Sequence, residues 1–225
     1  MSDRPALIAG DWNAAPDNPA RHRPRWLARR AGLVIASAGP GSHGDIDYPM
    51  SDARLSDVRR GQRHGSDHQV VLWTASWPGH QLTMGSWNVL AGRNPHDVAD
   101  SVAELMERRD VLCLQECGPE LDRSMRAIGL RVFGHGPQLV VVRHGVPAAH
   151  PRHHRLSTLG WPLDRAGTPR GPWHRPAEAS SVQVADSMRV WSVHLPNHER
   201  SRWHAAAYAQ AVRRLARRVN RRRRR

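Results

Sequence analysis

The sequence predicts a layered α/β (α+β) fold: two packed, mostly antiparallel β-sheets with helices on their outer faces. Three observations carry this. Strand-length segments outnumber helical ones across the 225 residues. Several of those segments, such as Pro5–Gly10, Val111–Gln115 and Leu139–Val142, are almost uniformly apolar, the pattern of strands buried on both faces. The longer helical patterns are amphipathic, with an apolar stripe to lay on a sheet and a polar face for solvent.

Along the chain, Pro5–Gly10 reads as a short buried strand running into Asp11-Trp12-Asn13. Residues 14–25 form a Pro/Arg-rich loop, Trp26–Ala31 a short helix, Leu33–Ala36 a strand and Gly39–Gly44 a turn cluster. Asp45–Met50 and His68–Ser76 read as strands. Pro78-Gly79 marks a tight turn before a strand over Leu82–Leu90, so 68–76 and 82–90 form a hairpin. Pro95–Arg109 is helical, with Val98, Val102, Leu105 and Met106 on one stripe. Further strands fall at Val111–Gln115, Leu139–Val142, Ser181–Val184 and Arg189–His194. Residues 143–180, rich in Pro, Gly and His, read as a long surface loop. From Glu199 to Asn220 the pattern is helical again, with Trp203, Tyr208, Val212, Leu215 and Val219 near one face. Arg221–Arg225 is expected to be disordered. There is no internal repeat.

Composition narrows the function classes. One domain of this length can bury a sufficient core. No apolar run approaches the length of a membrane span. Met1 to Asn13 lacks a basic stretch followed by a long apolar one, so secretion is not expected. Cys113 and Cys117 are the only cysteines, too few for a disulfide framework or a structural zinc site. A reduced, cytoplasmic monomer is expected. Charge is uneven: residues 1–199 hold 23 arginines against all 20 acidic residues, whereas 200–225 hold 11 arginines and no acid. A mildly basic body with a cationic C-terminal arm suits a polyanion, nucleic acid above all.

Polar clusters sit where strands end, as sites do in layered α/β folds. They are Asp11 with Asn13, Asp45-Ile46-Asp47-Tyr48, Ser66-Asp67-His68, Asn88, Gln115-Glu116 and His194. Singly, each has an ordinary explanation: a turn, a cap, or a solvated loop residue among fifteen histidines. Together, GDWN, DIDY, SDH, SWN, LQE and VHLPN resemble the signature elements of the endonuclease/exonuclease/phosphatase family, which has the DNase I-like fold. The family runs WN, QE, HL, GDxN, DY, SDH. This chain runs GDWN, DIDY, SDH, SWN, LQE, HL, one cyclic shift, so the resemblance implies a circular permutation. Residues 1–77 match the family's C-terminal part and 82–219 its N-terminal part, joined at Trp77–Leu82. The domain is expected over 1–219, with 220–225 as a polyarginine tail.

The resemblance implies a metal-dependent phosphodiesterase. Glu116 would be the main ligand of Mg2+ or Mn2+, with Asn88 and Asp67 supporting it; a hard cation wants carboxylate oxygen. Asp11 would orient and deprotonate the attacking water, activated by the metal. Asn13 would hydrogen-bond a phosphate oxygen. His68 would contact the phosphate or move a proton, with Asp47 fixing its tautomer. His194 would contact the phosphate from the other side. Trp12 replaces the family's more usual Phe and takes no chemical role.

Arg21, Arg23 and Arg25, with Arg152, Arg155 and Trp161, are placed on loops that could line a substrate groove. Arg221, Arg222, Arg223, Arg224 and Arg225 would tether nucleic acid from the end opposite the site. The arm favours nucleic acid, DNA over RNA, and a nuclease over a phosphatase of small or lipid esters or a non-catalytic binder.

Overall fold

The computed structural model describes residues 5–14, 23–41, 44–90, 92–157, 177–195 and 202–223. Twelve strands and four helices follow in the order β1 (Ala6–Asp11), α1 (Arg23–Ala31), β2 (Val34–Ile35), β3 (Asp47–Ser51), β4 (Arg54–Arg60), β5 (Val71–Trp77), β6 (His80–Asn88), α2 (Pro95–Met106), β7 (Val111–Gln115), α3 (Pro119–Ala127), β8 (Arg131–His135), β9 (Gln138–Val142), β10 (Ala148–Arg155), β11 (Glu178–Val184), β12 (Met188–His194) and α4 (Arg202–Arg223).

The strands form two six-stranded sheets, β10-β11-β12-β1-β3-β2 and β4-β5-β6-β7-β9-β8. Each is mixed, antiparallel except for one central parallel pair: β1 with β12, and β6 with β7.

The uniformly apolar strands face two different cores, and strand periodicity sorts them. In β1, Ala6 and Ile8 point into a core shared with α1 and α4, including Leu27, Tyr208, Leu215 and Val219. Leu7 and Ala9 point into the core between the sheets, with Val111, Cys113, Val140 and Val190. In β7, Leu112 and Leu114 pack instead with Val98, Val102, Leu121 and Met125 of α2 and α3. The result is four layers: α1 and α4, first sheet, second sheet, α2 and α3. Asn94 starts α2 by accepting from His96 N, with Pro95 in the first turn.

Gly10 is required by close approach. It adopts φ +152° between β3 and β12, and a Cβ there would lie 1.8 Å from the carbonyl oxygen of Val193. Gly10→Ala therefore forces the parallel pair apart next to Asp11. It is expected to cost roughly 2–4 kcal/mol in a denaturant titration; a loss under 0.5 kcal/mol would contradict the close approach.

The structure corrects several expectations. Residues 143–180 are not one long loop: β10 occupies Ala148–Arg155 and β11 begins at Glu178. Arg152 and Arg155 are therefore exposed strand residues. The strand β4 and the helix α3 were not expected. The last helix runs to Arg223, so 220–223 are helical and not part of a tail. Arginine is a good helix former, and Asn220 Nδ2 anchors this turn by donating to Arg30 O at 3.1 Å. Arg21, Trp161, Arg224 and Arg225 lie outside the described residues, and the side chains of Arg23, Trp203, Arg222 and Arg223 do too. Among the described residues, no helix is long and apolar enough to cross a membrane.

Candidate active site

The alternation that sorts the cores also gathers the site. In β1, β3, β6 and β12, the residues Asp11, Asp47, Asn88 and His194 share parity with the positions facing the inter-sheet core. They also fall at one end of the sandwich. Asp11 is in register with both His194 and Asp47, and Asn88 with Gln115. Strand ends from both sheets thus deliver polar groups to one edge.

Glu116 departs from this rule. Following Gln115 in β7, it would point to the opposite face. Instead its backbone adopts φ +59°, which returns the carboxylate to the inter-sheet side. A non-glycine residue in this region costs about 1 kcal/mol or more, strain of the kind concentrated at functional sites.

The polar groups converge closely. Asn88 Nδ2 donates to Asp11 Oδ2 at 3.1 Å and to Glu116 Oε1 at 3.0 Å. His194 Nε2 lies 3.5 Å from Asp11 Oδ2 and 3.7 Å from Glu116 Oε1. Asp11 Oδ1 accepts from Asn13 N at 2.8 Å. On the other side of Asp11, His68 Nδ1 lies 2.8 Å from Asp47 Oδ2, both side chains largely buried. Ser66 Oγ donates to Asn88 O at 2.7 Å and accepts from His68 N at 3.1 Å, holding the His68 loop onto β6.

Electrostatics follow from this crowding. Burial, then the charge of Asp47, pushes Asp11 up to about 6, although His194, His68 and the Asn13 N–H pull the other way. Burial alone would lower His68. Its hydrogen bond to Asp47 and the charges of Asp47, Asp11 and Asp67 outweigh that and raise it to about 9. His68 is therefore a cation at neutral pH. Burial raises the Cys113 and Cys117 thiols far above their ordinary value, so both are inert.

Among the described residues, two groups have the geometry to hold a metal ion: Asp11, Glu116 and His194, and Asp11, Asp47 and His68. In each, the ligand atoms lie within 4.8 Å of one another. Carboxylate oxygen suits a hard divalent cation. Asp47 Oδ1 is buried without a hydrogen-bond partner, and such an oxygen fits a nearby positive charge. The residues present fit the metal that the sequence implies.

Of the residues expected for catalysis and metal binding, all but Asp67 meet here, and some sit differently from what was expected. Asn88 presents its amide N–H groups to the carboxylates, while its Oδ1 accepts from Leu90 N, so it braces those two carboxylates. Asp67 reaches the cluster through its charge on His68. Asn13 Nδ2 donates to Leu195 O at 2.7 Å and lies 3.3 Å from His194 Nε2, so it positions that histidine.

A buried polar chain behind the site was not anticipated. Ser86 donates to Gln115 Oε1 at 3.3 Å, and Gln115 Nε2 donates to Ser192 Oγ at 3.0 Å, bridging the two sheets. The signal was present as polar residues at inter-sheet positions of apolar strands.

The Endonuclease/Exonuclease/phosphatase family profile matches residues 85–222. No curated protein matches the chain. Among solved structures, the chain is similar to the endonuclease domain of TRAS1, a telomere-specific non-LTR retrotransposon. That similarity has 8% identity and a TM-score of 0.45, covering 68% of this chain and 91% of that one. It is also similar to humanized D. rerio TDP2 (7% identity, TM-score 0.43, 73% and 93% covered). A third is D. rerio TDP2 complexed with a single-strand DNA product (8% identity, TM-score 0.42, 73% and 80% covered).

Proposed function

The chain belongs to the endonuclease/exonuclease/phosphatase family, hydrolases acting on phosphoric ester bonds, and we propose that it is a divalent-metal-dependent nuclease acting on DNA. The observation that carries this reading is the convergence of Asp11, Asp47 and Glu116 with two histidines at one edge of the sandwich. Three carboxylates packed this closely repel one another and call for a cation; the cationic His68, with His194 across from it, gives a phosphate something to approach.

Glu116 would hold Mg2+ or Mn2+, with Asp11 and His194 beside it and Asn88 fixing the carboxylate geometry. When bound, such an ion supplies Lewis acidity at phosphorus and makes water more acidic. Asp11 orients the attacking water and takes its proton. His68, kept charged by Asp47, offers a positive hydrogen-bond donor as negative charge grows on the phosphoryl oxygens. His194, held by Asn13, approaches from the other side.

The cationic surface favours nucleic acid over small esters. Arg155 on β10 stands in register with Glu178, itself in register with His194, so it lies two strands, roughly 10 Å, from the site. Arg152 stands on the same strand and Arg25 on the exposed face of α1.

The motif order is read here as a circular permutation. The parallel neighbours β12 and β1 would ordinarily be joined through a crossover helix, as α2 joins β6 to β7. Here α4 follows β12 and packs under β1, yet β1 comes first in sequence. The β5–β6 hairpin turns on Pro78-Gly79, with Trp77 paired to His80 and Gly79 at φ +75°. A chain re-cut between Pro78 and Gly79, with residue 225 linked to residue 1, is expected to give the same far-UV spectrum and a cooperative melt; a chain that stays unfolded would count against the permutation.

The function is tested by nicking of supercoiled plasmid in Mg2+, in Mn2+ and in EDTA. Nicking is expected with either metal and none in EDTA. Phosphate release from small esters without nicking would replace the nuclease reading with a phosphatase one. Binding without cleavage under either metal would leave a non-catalytic protein.

A further inference from the structure

We propose that α1 and the C-terminal half of α4 form a second nucleic-acid site, which holds a single strand remote from the carboxylates. Its partner class rests on the nucleic-acid reading above; its location does not.

The two helices are unusual in charge. Neither carries an acidic residue, and Arg30 of α1 with Arg213, Arg217 and Arg221 of α4 surrounds one groove. The groove, about 350 Å³ in volume, is lined by Trp26, Arg30, Arg213, Arg217, Asn220 and Arg221. A second groove of similar volume on the next face of α4 shares Arg213 and Arg217, which therefore stand as a ridge between the two. Arg213, Arg217 and Arg221 recur every four residues, a row with a rise of roughly 6 Å per step. Such a row can run along successive phosphates of an extended strand. The hydrogen bond from Asn220 to Arg30 O ties the helices together, so the groove is built.

Trp26 identifies the ligand further. It is 45% exposed, one of the few large apolar side chains on the described surface, and it sits among guanidinium groups. An indole open to solvent beside cations provides a stacking face for a base, a feature of single-strand binding that a duplex does not use. A lipid surface fits less well. A membrane-binding helix keeps its apolar face free, whereas Tyr208, Ala211, Val212, Leu215 and Val219 of α4 are buried on the sheet.

Location follows from topology. Arg30 lies just before Val34, which pairs with Ser51, which pairs with Leu7, at the end of β1 away from Asp11. A full strand, roughly 17 Å, separates this end from the carboxylates. A strand held here raises the local concentration of phosphodiester at the active site without joining the chemistry.

The test uses the full chain and a fluorescein-labelled 20-nucleotide single strand in EDTA, followed by anisotropy across a sodium chloride series. Arg213→Gln/Arg217→Gln/Arg221→Gln is expected to weaken binding about tenfold or more at low salt. It should also reduce the slope of log K against log salt by about 2, near 0.7 per lost phosphate contact. Trp26→Ala is expected to weaken binding about tenfold with little change in slope. Arg213→Lys/Arg217→Lys/Arg221→Lys, which keeps the charge, should retain the native slope. Turnover of a short saturating substrate should be unchanged in all of them. Native affinity and slope in the triple glutamine variant would overturn the site. So would equal binding of duplex with Trp26→Ala silent, or arginine-dependent binding to phosphatidylserine vesicles in place of nucleic acid. Because the binding assay contains no metal, failure of the native chain to nick plasmid in Mg2+ or Mn2+ would count against the nuclease reading and leave this result standing.

Discussion

Glu116→Gln is expected to reduce metal-dependent nicking by about 10³-fold while leaving the fold intact. The substitution keeps the side chain's shape and its approach to Asn88 but removes the charge that a hard cation needs. A second readout separates ligand loss from misfolding. Anything that binds only the folded state raises its melting temperature, so Mg2+ should raise the Tm of the native chain and fail to raise that of the variant. Asp11 gives this effect a pH dependence. Its carboxyl, raised to about 6, is neutral in the folded protein below that pH. The stability it contributes without metal is fully present below its ordinary value of 3.8 and is lost as pH rises through 6. A cation must displace that proton at low pH but finds the carboxylate ready above it. The Tm increase with Mg2+ should therefore be larger at pH 8 than at pH 5.5. A variant that still nicks within tenfold of the native rate, or a Tm increase that survives Glu116→Gln, would remove Glu116 from the metal site.

Much of the candidate site was legible because apolar strands such as β1, β7 and β12 end abruptly in polar residues. Val111–Gln115 shows this best: once both faces are known to be buried, the polar residues at its end stand out, and so do Asp11 after Ala6–Gly10 and His194 after Val190–Val193. What escaped has physical reasons. The strands β4 and β10 are largely polar and β8 is short, and all three lie at sheet edges, where a neighbour's hydrogen bonds hold a strand in place with little buried surface of its own. Helix α3 buries only Leu121, Ser124 and Met125 in nine residues, too short a stripe to read. The direction of Glu116 was not legible either, because it depends on one left-handed backbone angle that a strand pattern does not announce. The uses of Asn13 and Asn88 depend on where each amide N–H turns, toward Leu195 O for Asn13 and toward the carboxylates for Asn88, a matter of contacts across the fold.

Asp47→Asn is expected to move the alkaline limb of the pH profile, whereas His68→Ala should remove most of the activity at every pH. His68 is raised from 6.5 to about 9, chiefly because Asp47 outweighs the effect of burial. The kcat/KM profile reports the free enzyme's ionisations. If the charged imidazole meets the phosphate, activity should hold through pH 8 and fall as pH passes 9. With Asn at position 47 the limb should retreat toward 6.5 or below, since burial then acts with less opposition. His68→Ala should cost roughly 10²–10⁴ in rate, the range for loss of a positioned acid–base group. Stability carries the same sign. The His68–Asp47 interaction contributes fully below pH 6.5 and is lost as pH rises through 9, a change of about 3 kcal/mol for a shift of this size. Metal-free native protein should therefore lose stability between pH 7 and pH 9.5, and Asp47→Asn should flatten that slope. An alkaline limb that stays at 9 in the Asn variant would assign it to another group and leave His68 with a structural role.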